Sequence, residues 1–566
     1  MTTAAEAIAL ELKALGTSHF FLVTGGDNSI WIALQEQGVT QVLARNEASS
    51  VYMADAYARL SGRPTFVYGQ YGPGASNVAG ALAEPFWSLS PVVAMPTSMR
   101  RQHRHRYEYQ ELEQLYLFAG VSKWQAEAQI PQQVPHLVRA GAARATAAPP
   151  GPVYVGVPSD VLEQPIEGYT PPAGTGAEDV RRPWRPHAAP TLVEQAARLV
   201  DEAERPVIVA GNGVHLARAQ PALAALAERL HVPVVTSLAG KGAIAEQHEL
   251  AFGTVGRYSR RYANDIVREA DLVLAVGSRL GGLVTDSYRL LPSDVSIVHV
   301  DIDESVLGYN YPVTVGIQAD AGSFLDQYHQ LLDSDGTDPA TDARKDRVAM
   351  LAERRAAWNA RRVELAGSDG TDGREMRPEA VLDVINRRAP AETTIVADTG
   401  YAAAWSGALF ETRRSAQDFL RADGSLGWAF PAALGAKLAA PNQSVLCVTG
   451  DGGFGYHVGE LETARRLGIP VVVVILNNQS LAFELHVQQH LYGTVVSAVD
   501  DFVDVDYAAI ARAFGVEGHR VSTGPEFGEV FDKALRSDSV TVIDALIAKD
   551  AIGPVTRYDS VREREL

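Results

Sequence analysis

The stretch that decides the fold runs from Gly450 to Ser480 and reads GDGGFGYHVGELETARRLGIPVVVVILNNQS. The preceding SVLCVTG has the pattern of a buried parallel strand, ELETARRLG that of a helix, and IPVVVVILNN that of the next strand. The sequence therefore predicts a βαβ unit. Asp451 and the pair Asn477–Asn478 then follow the carboxyl ends of two adjacent strands, the edge at which open α/β sheets bind ligands.

These polar residues suit a magnesium–phosphate site. Asp451 offers an anionic oxygen and Asn478 a neutral one, and Mg²⁺ typically takes one or two protein ligands and completes its shell with phosphate oxygens and water. Gly450, Gly452 and Gly453 let backbone N–H groups approach a diphosphate. Taken alone, the same residues also fit a plain strand-to-helix turn with Asp451 as the helix N-cap, and both interpretations stay open at this point.

The rest of the chain shows the same alternation of strand patterns and helix patterns. Short apolar runs such as PVIVA, DLVLAVG, SIVHVD and TIVAD alternate with amphipathic helical patterns, which predicts the α/β class with parallel sheets. Two stretches rich in Pro, Gly or charge, near 168–190 and 334–378, are typical of linkers, the second with a helix inside it. Because 566 residues exceed one hydrophobic core, we expect three doubly wound parallel-sheet domains, over 1–170, 190–335 and 375–550.

Composition narrows the classes of function. With 68 acidic against 50 basic side chains the net charge is −18, which disfavours nucleic acid or an anionic membrane as a partner. The single cysteine, Cys447, excludes an intrachain disulfide framework and a cysteine-rich metal cluster, and its strand-like setting predicts a buried small hydrophobe. The sequence shows neither a secretory signal pattern nor a long uncharged apolar run, so we expect a cytoplasmic protein.

The GDG at Gly450–Gly452 followed by NN at Asn477–Asn478 resembles the diphosphate-anchoring signature of thiamine-diphosphate (ThDP) enzymes. The resemblance implies ThDP and Mg²⁺ as cofactors. It implies that Asp451, Asn478 and the backbone carbonyl of Ser480 hold the metal, and that Leu481 and Ala482 lie against ThDP.

A second segment, LARNEASSVYMADAYARLSGRP, resembles the part of the family that carries its glutamate, with Glu47 in that place. There, a carboxyl bonded to N1′ of the aminopyrimidine favours the tautomer that takes the proton from thiazolium C2. FLVTGGDNSIW, YGPGASNVAGALAEPF and YEYQELEQLYLFAGVSKW resemble the turns and the loop around the pyrimidine ring. The resemblance assigns to this end Gly25, Gly26, Pro73, Gly74, Asn77 and Gln110.

Two segments near the carboxyl end complete the resemblance. ADTGYAAAW looks like the first diphosphate-contacting turn, which nominates Gly400 and Tyr401. GSLGWAFPAALGAKLA looks like the segment with an apolar wedge under the cofactor, which nominates Gly424, Ser425 and Leu426. Such a wedge holds the two rings of ThDP in a bent V and brings the 4′ nitrogen to C2 without a rotational search.

The middle of the chain leaves one cofactor open. RPVIVAGNGVHLA and EADLVLAVGSRLGGLVT resemble the central domain of the family, which binds FAD in acetolactate synthases and pyruvate oxidases but is empty in many relatives. Arg279 matches a position used for flavin contact, yet GSRLGG departs from the GVRFDD of the flavin-binding members. FAD is therefore an open alternative.

The branch of the family is less sharply marked. The segment through NNQSLAFELHVQQ looks closest to benzaldehyde lyase, but the histidine of that enzyme's first turn is missing from VTGGDN, and His103 and His105 do not match the histidine pair of pyruvate decarboxylases. Glu484 stands where decarboxylases carry a glutamate that helps protonate the reaction intermediate, and Phe483 beside it would narrow the pocket. The basic run RRQHRHR at 100–106 would either steer an anionic substrate or form a solvated loop.

The resemblance implies decarboxylation of a 2-oxo acid and transfer of the acyl fragment to a second carbonyl compound, as in acetolactate synthases. Simple decarboxylation, benzaldehyde-lyase-like cleavage, a flavin-linked oxidase of the pyruvate oxidase type and a non-catalytic scaffold are the alternatives. Because Glu47 and Asp451 lie in different domains, and in this family come from different subunits, we expect at least a homodimer and favour a homotetramer.

Overall fold

The structure is a computed structural model that describes residues 1–171, 184–335 and 340–558. Parts of both expected linkers, 172–183 and 336–339, lie outside the described residues. The helix expected inside the second linker is present and spans Asp342–Ala366. No helix of the described residues is long and apolar enough to cross a membrane.

Three large sheets, each wholly parallel, form the framework. The strands of the first domain are β1 (Thr2–Thr3), β2 (His19–Leu22), β3 (Thr40–Leu43), β4 (Thr65–Tyr68), β5 (Val92–Ala94), β6 (Thr97–Ser98), β7 (Gln125–Glu127), β8 (Val153–Pro158) and β9 (Pro165–Ile166). Those of the central domain are β10 (Pro206–Ala210), β11 (Val234–Thr236), β12 (Ala251–Thr254), β13 (Leu272–Val276), β14 (Ser296–Asp301) and β15 (Val315–Gln318). Those of the third domain are β16 (Thr394–Ala397), β17 (Phe419–Arg421), β18 (Val445–Gly450), β19 (Val472–Asn477), β20 (Glu517–Val521) and β21 (Thr541–Leu546).

Helices cover these sheets. In the first domain they are α1 (Ala4–Ala14), α2 (Asn28–Glu36), α3 (Glu47–Ser61), α4 (Pro73–Ala81), α5 (Ala83–Ser88), α6 (Gln114–Phe118), α7 (Val134–Thr146) and α8 (Ser159–Leu162). The central domain and the following linker carry α9 (Pro190–Glu202), α10 (Asn212–Leu216), α11 (Gln220–Leu230), α12 (Arg261–Arg268), α13 (Ala321–Asp335) and α14 (Asp342–Ala366). The third domain carries α15 (Pro378–Arg388), α16 (Tyr401–Leu409), α17 (Ala429–Ala439), α18 (Asp451–Tyr456), α19 (Glu460–Leu467), α20 (Ala482–Val487), α21 (Ser497–Asp500), α22 (Tyr507–Ala513) and α23 (Gly524–Ala534).

Each sheet reverses its winding near the middle. The strand orders are β3-β2-β4-β5-β8-β6, β12-β11-β10-β13-β14-β15 and β17-β16-β18-β19-β21-β20, with β7 joined to β8 in the first and β1 pairing antiparallel with β9 beside it. The predicted fold of three doubly wound parallel sheets is confirmed. Loops at the carboxyl ends of neighbouring strands meet at such reversals, which is where ligands bind in this class of fold.

The first and third domains share one hydrophobic core, which contains Phe21 and Met53 from the one and Trp428 and Phe430 from the other. Helix α3 packs along α17 so tightly that a side chain at Gly435 would overlap the Met53 carbonyl. Burial of this shared surface fixes how the two domains sit against each other. Cys447 is fully buried on β18, as expected, and burial raises the pKa of its thiol well above the usual value.

Candidate active site

The two polar clusters of the Gly450–Ser480 stretch meet at one edge of the third sheet. Strands β18 and β19 pair in parallel with Gly450 opposite Leu476, so Asp451 and the two asparagines leave the sheet side by side. Helix α18 begins at Asp451 with Gly450 as its N-cap residue, so the alternative with Asp451 as the N-cap is wrong.

The two adjacent asparagines have different tasks. Asn477 is buried, donates a hydrogen bond to Asp544 (2.8 Å) and accepts one from the Gln479 N–H (3.2 Å), which fixes the loop. Asn478 is half-buried, and its Oδ1 accepts the Ser480 N–H (3.2 Å). Gln479 lies between them with φ +58°, a left-handed conformation that turns the chain back sharply.

Asp451 lies under this loop, with 3% of its surface exposed. Burial raises the pKa of its carboxyl to about 6, although it accepts backbone hydrogen bonds from Gly452 and Gln479, and the nearby charge of Asp544 raises it further. Ser480, whose backbone carbonyl is the third expected ligand, is also buried. A divalent cation here would stabilise the ionised carboxylate, so the donor set of Asp451, Asn478 and Ser480 fits Mg²⁺.

Glycines border the space beside these oxygens. At Gly400 (φ +67°), Gly424 and Gly450 an added side chain would meet nothing within 4 Å, so the three backbones line an open cradle. Helices α16 and α18 begin at its edge, with Gly400 and Gly450 as their N-caps. Gly452 is needed for close packing instead, because a side chain there would begin 2.8 Å from Leu481 Cδ2. The cradle fits a diphosphate, which favours helix N-termini and free backbone N–H groups.

The expected wedge, Leu426, is half-buried on a turn held from two sides. The Gly427 N–H donates to Asp398 Oδ1 (3.0 Å), and the Ser425 N–H donates to Glu84 Oε2 (3.1 Å). Asp398 also accepts from the Thr399 N–H (2.8 Å) and the Thr449 hydroxyl (3.0 Å). One buried carboxyl therefore ties together the turns at Gly400, Leu426 and Gly450.

Sequence reasoning missed Asp398 and Glu84, although both lie inside segments quoted for their resemblance. Burial raises the pKa of Asp398 to about 6 and that of Glu84 to about 7; the neighbouring charge of Asp423 adds to the second shift. The available signal for Asp398 was an acidic residue at the carboxyl end of a predicted strand, directly before a Thr-Gly turn.

The residues assigned to the pyrimidine ring cluster in the first domain. Glu47 begins α3 and accepts a hydrogen bond from Asn77 Nδ2 (2.9 Å), and a side chain at Gly74 would begin 3.2 Å from Glu47 Oε1. Pro73 and Gly74 are the first two residues of α4. Gln110, at φ +63°, packs over Gly72, and its Oε1 is buried without a hydrogen-bond partner among the described residues.

Gly25 and Gly26 form the neighbouring turn. The Tyr68 hydroxyl donates to the Gly25 carbonyl (2.7 Å), a side chain at Gly25 would overlap Gln70, and Gly26 has φ +71°. Among the described residues no hydrogen bond joins Glu47 or Gln110 to Asp451, Asn478 or Ser480. The described residues therefore form the expected site as two separate halves. The pyrimidine half contains Glu47 and Gln110, and the metal half contains Asp451, Asn478 and Ser480.

Helix α20, which follows the loop with Asn477, Asn478 and Ser480, carries an aromatic surface. The Tyr401 hydroxyl and His486 Nδ1 are hydrogen-bonded at 2.7 Å. Phe483 packs edge-on against Tyr401, with ring centroids 5.3 Å apart. Glu484 is exposed on the same helix, and Ala482 is buried at its first position.

The basic run at 100–106 is largely engaged in ion pairs. Arg101 binds Asp160 (2.7 Å), Arg104 binds Glu127, and Arg100 lies 3.8 Å from Glu163. These pairs hold the loop to its own domain, which favours a structural loop over one that steers substrate.

A large cavity of about 1420 Å³ lies between the three domains. Gly213, Gly277 and Asp301 line it from the central domain and Arg59 from the first. A side chain at Gly213 would begin 2.5 Å from Gly277 Cα, so both glycines allow close backbone approach. Arg279 is not among the lining residues; its carbonyl accepts from Asn310 instead.

Comparisons with known proteins identify the family. Residues 2–117 match the N-terminal TPP binding domain of thiamine pyrophosphate enzymes, residues 193–328 the central domain, and residues 398–545 the C-terminal TPP binding domain. Similar proteins include a probable acetolactate synthase large subunit of Methanocaldococcus jannaschii, 31% identical over 96% of this chain and 91% of that protein. Others are the acetolactate synthase isozyme 2 large subunit of Escherichia coli K12 (28% identical; 94% of this chain, 93% of that protein) and a sulfoacetaldehyde acetyltransferase of Castellaniella defragrans (30%; 97% and 94%).

These matches run through both halves of the site and the domain between them. The chain belongs to the thiamine pyrophosphate enzyme family and is a ThDP-dependent enzyme.

Proposed function

We propose that the protein decarboxylates a 2-oxo acid and joins the acyl fragment to a second carbonyl compound, with ThDP and Mg²⁺ as cofactors. ThDP, when bound, supplies a nucleophilic carbon at C2 of its thiazolium ring. The observation that carries the proposal is the convergence of Asp451, Asn478 and Ser480 beside the glycine cradle. Relatives named acetolactate synthase support carboligation over simple release of an aldehyde.

Each half of the site has its own task. Asp451, Asn478 and the Ser480 carbonyl hold Mg²⁺ and through it the diphosphate, while the backbones of Gly400 and Gly450 receive phosphate oxygens. Leu426 would support the bound cofactor as an apolar wedge, and Asp398 fixes the turn that carries Leu426. Glu47 holds a proton at the pyrimidine ring, and Gln110 closes the space above the ring. Glu484, exposed on α20, would hold a proton at its carboxyl for the substrate that reacts on the cofactor.

The two halves are completed by a second copy of the chain. Exposed apolar side chains surround the pyrimidine half, among them Tyr107, Tyr109 and Tyr116, and the metal half, among them Leu491 and Tyr492. Such patches on a chain with net charge −18 are typical of a protein interface. We infer a homodimer in which Glu47 of one copy faces Asp451 of the other, with a homotetramer as the larger assembly.

Incubation with a panel of 2-oxo acids, alone and with aldehydes, tests the reaction. CO₂ release together with an acyloin or acetohydroxy acid product is the expected result; free aldehyde as the only product would favour simple decarboxylation. Cleavage of added benzoin without CO₂ would favour the lyase alternative.

Complementation tests the shared site. Glu47→Gln and Asp451→Ala should each be inactive, yet a mixed dimer of the two, purified through different tags, should regain activity, because one of its two sites combines both intact residues. If each site were built within one chain, the mixed dimer would stay inactive.

The central cavity favours a second cofactor. Its glycine-lined wall and its volume suit a ligand larger than most substrates, and FAD is the candidate that the resemblance leaves open. A yellow preparation with bound-flavin absorbance would support FAD. Electron transfer from the substrate to that flavin would favour the pyruvate-oxidase-like alternative. A colourless preparation that gains no flavin would contradict FAD binding and with it that alternative.

A further inference from the structure

The last described residues form a strap across the aromatic surface near Glu484. This strap, residues 551–558, is anchored to the central domain by the Thr556 N–H, which donates to the Arg257 carbonyl (2.9 Å), by the Thr556 hydroxyl, which donates to the Gly256 carbonyl (2.6 Å), and by a β-bridge between Tyr258 and Val555. At its other end a side chain at Gly553 would begin 2.5 Å from the Tyr401 ring. The strap therefore joins the central domain to the first diphosphate turn.

Aromatic rings fill the space under the strap. Phe483 lies 5.3 Å from Tyr401 and 6.1 Å from Tyr258 between ring centroids, both edge-on, and Tyr558 is buried 5.5 Å from His490. These contacts fix the backbone on both sides of Arg557, whose side chain is exposed.

Arg557 and Glu484 act on the same two tyrosines. Burial raises the pKa of Tyr258; the charges of Arg257, Arg421 and Arg557 oppose this shift and that of Glu484 adds to it. Burial also raises the pKa of Tyr558, and Arg557 and Glu484 again act with opposite signs. Geometry places both charged residues on segments beside these phenols. Arg557 follows Val555, the β-bridge partner of Tyr258, by two residues and directly precedes Tyr558, and Glu484 follows Phe483, whose ring packs against Tyr258.

Arg257, Arg421 and Arg557 all bring positive charge to the surroundings of Tyr258, although the net charge of the chain is −18. Arg421 binds Asp423, and Arg257 donates to the Ser287 hydroxyl (3.0 Å). Arg557, at the exposed end of the strap, is placed to receive an incoming anion.

We propose that Arg557 binds the carboxylate of a 2-oxo acid at the mouth of the site, with Phe483 and Tyr258 against the apolar part of that substrate. This inference deepens the proposed function and rests on it. A guanidinium has five N–H donors in a planar fork, so it binds a carboxylate through two parallel hydrogen bonds and keeps donors for its neighbours. The carboxylate bound is either that of the acyl donor or that of the acceptor.

Binding of oxamate, an unreactive mimic of a 2-oxo acid, tests the site without turnover. Calorimetric titration of the holoenzyme should show a Kd about tenfold or more weaker in Arg557→Gln than in the wild type, as expected for loss of charge-assisted hydrogen bonds. Arg557→Lys should fall between them. Arg536→Gln, an exposed arginine after α23, is the matched control and should bind as the wild type does. An unchanged oxamate Kd in Arg557→Gln, with native thermal unfolding, would overturn the inference.

Kinetics separate the two sources of carboxylate. If Arg557 binds the donor, the KM for CO₂ release without an acceptor rises in Arg557→Gln. If it binds the acceptor, that KM is unchanged, and the KM rises for 2-oxo acid acceptors but not for neutral aldehydes. Equal effects on charged and neutral acceptors with normal CO₂ release would contradict the inference. Should the wild type turn over no 2-oxo acid, the proposed function fails, while the oxamate titration still decides the role of Arg557.

Discussion

The two halves of the site differ in how they are built. The metal half comes from loops on adjacent strands of one sheet, and Asp451 in it is 3% exposed, with its hydrogen bonds already made by the backbone. The pyrimidine half comes from four separate segments of the first domain, and Glu47 in it is half-buried with Asn77 as its hydrogen-bond partner. The comparison predicts that cofactor retention depends on one domain, whereas activation of the cofactor would require the proposed assembly of two copies.

The largest expected effect lies in the metal half. Asp451→Ala should weaken ThDP and Mg²⁺ retention by more than about a hundredfold, because even outer-sphere partners of metal ligands contribute ten- to hundredfold. Cofactor content after gel filtration measures this. Asp538→Ala, an exposed aspartate of the same domain, should retain full content. Stoichiometric ThDP in Asp451→Ala would show that the protein retains the cofactor without this carboxylate.

The pyrimidine half should respond in the opposite way. Glu47→Gln should bind ThDP within a few-fold of the wild type but slow hydrogen–deuterium exchange at thiazolium C2 by about 10²–10⁴, the usual contribution of a positioned acid–base group. Acid-quenched NMR measures the exchange rate. Glu36→Gln, at the exposed end of α2, is the control. Turnover at the wild-type rate in Glu47→Gln would remove the assigned role.

Asp398 tests how rigid the metal half is. Asp398→Asn should lower the free energy of unfolding by about 1–3 kcal/mol. An NH₂ group then replaces Oδ2, the acceptor of the Thr449 hydroxyl, and the N–H groups of Thr399 and Gly427, which share Oδ1, lose a charged acceptor. Thr449→Val removes only one donor and should cost less. ThDP affinity should fall in the same order, which denaturant unfolding and ThDP titration of each variant would measure. Wild-type ThDP affinity in Asp398→Asn would show that the wedge turn does not need this carboxyl.

The smallest expected effect is a change in folding stability at the contact between the first and third domains. His457 Nδ1 lies 2.8 Å from the Ser49 hydroxyl, and burial lowers the pKa of His457 to about 4 from 6.5. The folded state thus favours neutral His457, a contribution that is complete above pH 6.5 and lost as the pH falls toward 4. A His457→Gln variant should be less stable than the wild type at pH 7.5, and the difference in unfolding midpoint should shrink between pH 6.5 and 4. A deficit that stays constant with pH would mean that His457 does not titrate in this range.

Much of the metal half could be predicted from sequence because its chemistry and its strand order are local. Alternating apolar runs predict parallel strands, and the positions after β18 and β19 must then lie side by side. The different tasks of Asn477 and Asn478 could not be predicted, because they depend on Asp544, a residue on another strand.

Sequence alone determined the fold class, the family and the residues that offer oxygen ligands, since strand periodicity and turn glycines are written in neighbouring residues. Tertiary structure decided what lies between distant segments: Asp398 tying three turns, Glu84 reaching from the first domain to the wedge, and the strap that carries Arg557 over α20. The physical reason is that buried carboxyls and arginines acquire their roles from the groups packed around them, and those groups come together only when the sheets have closed.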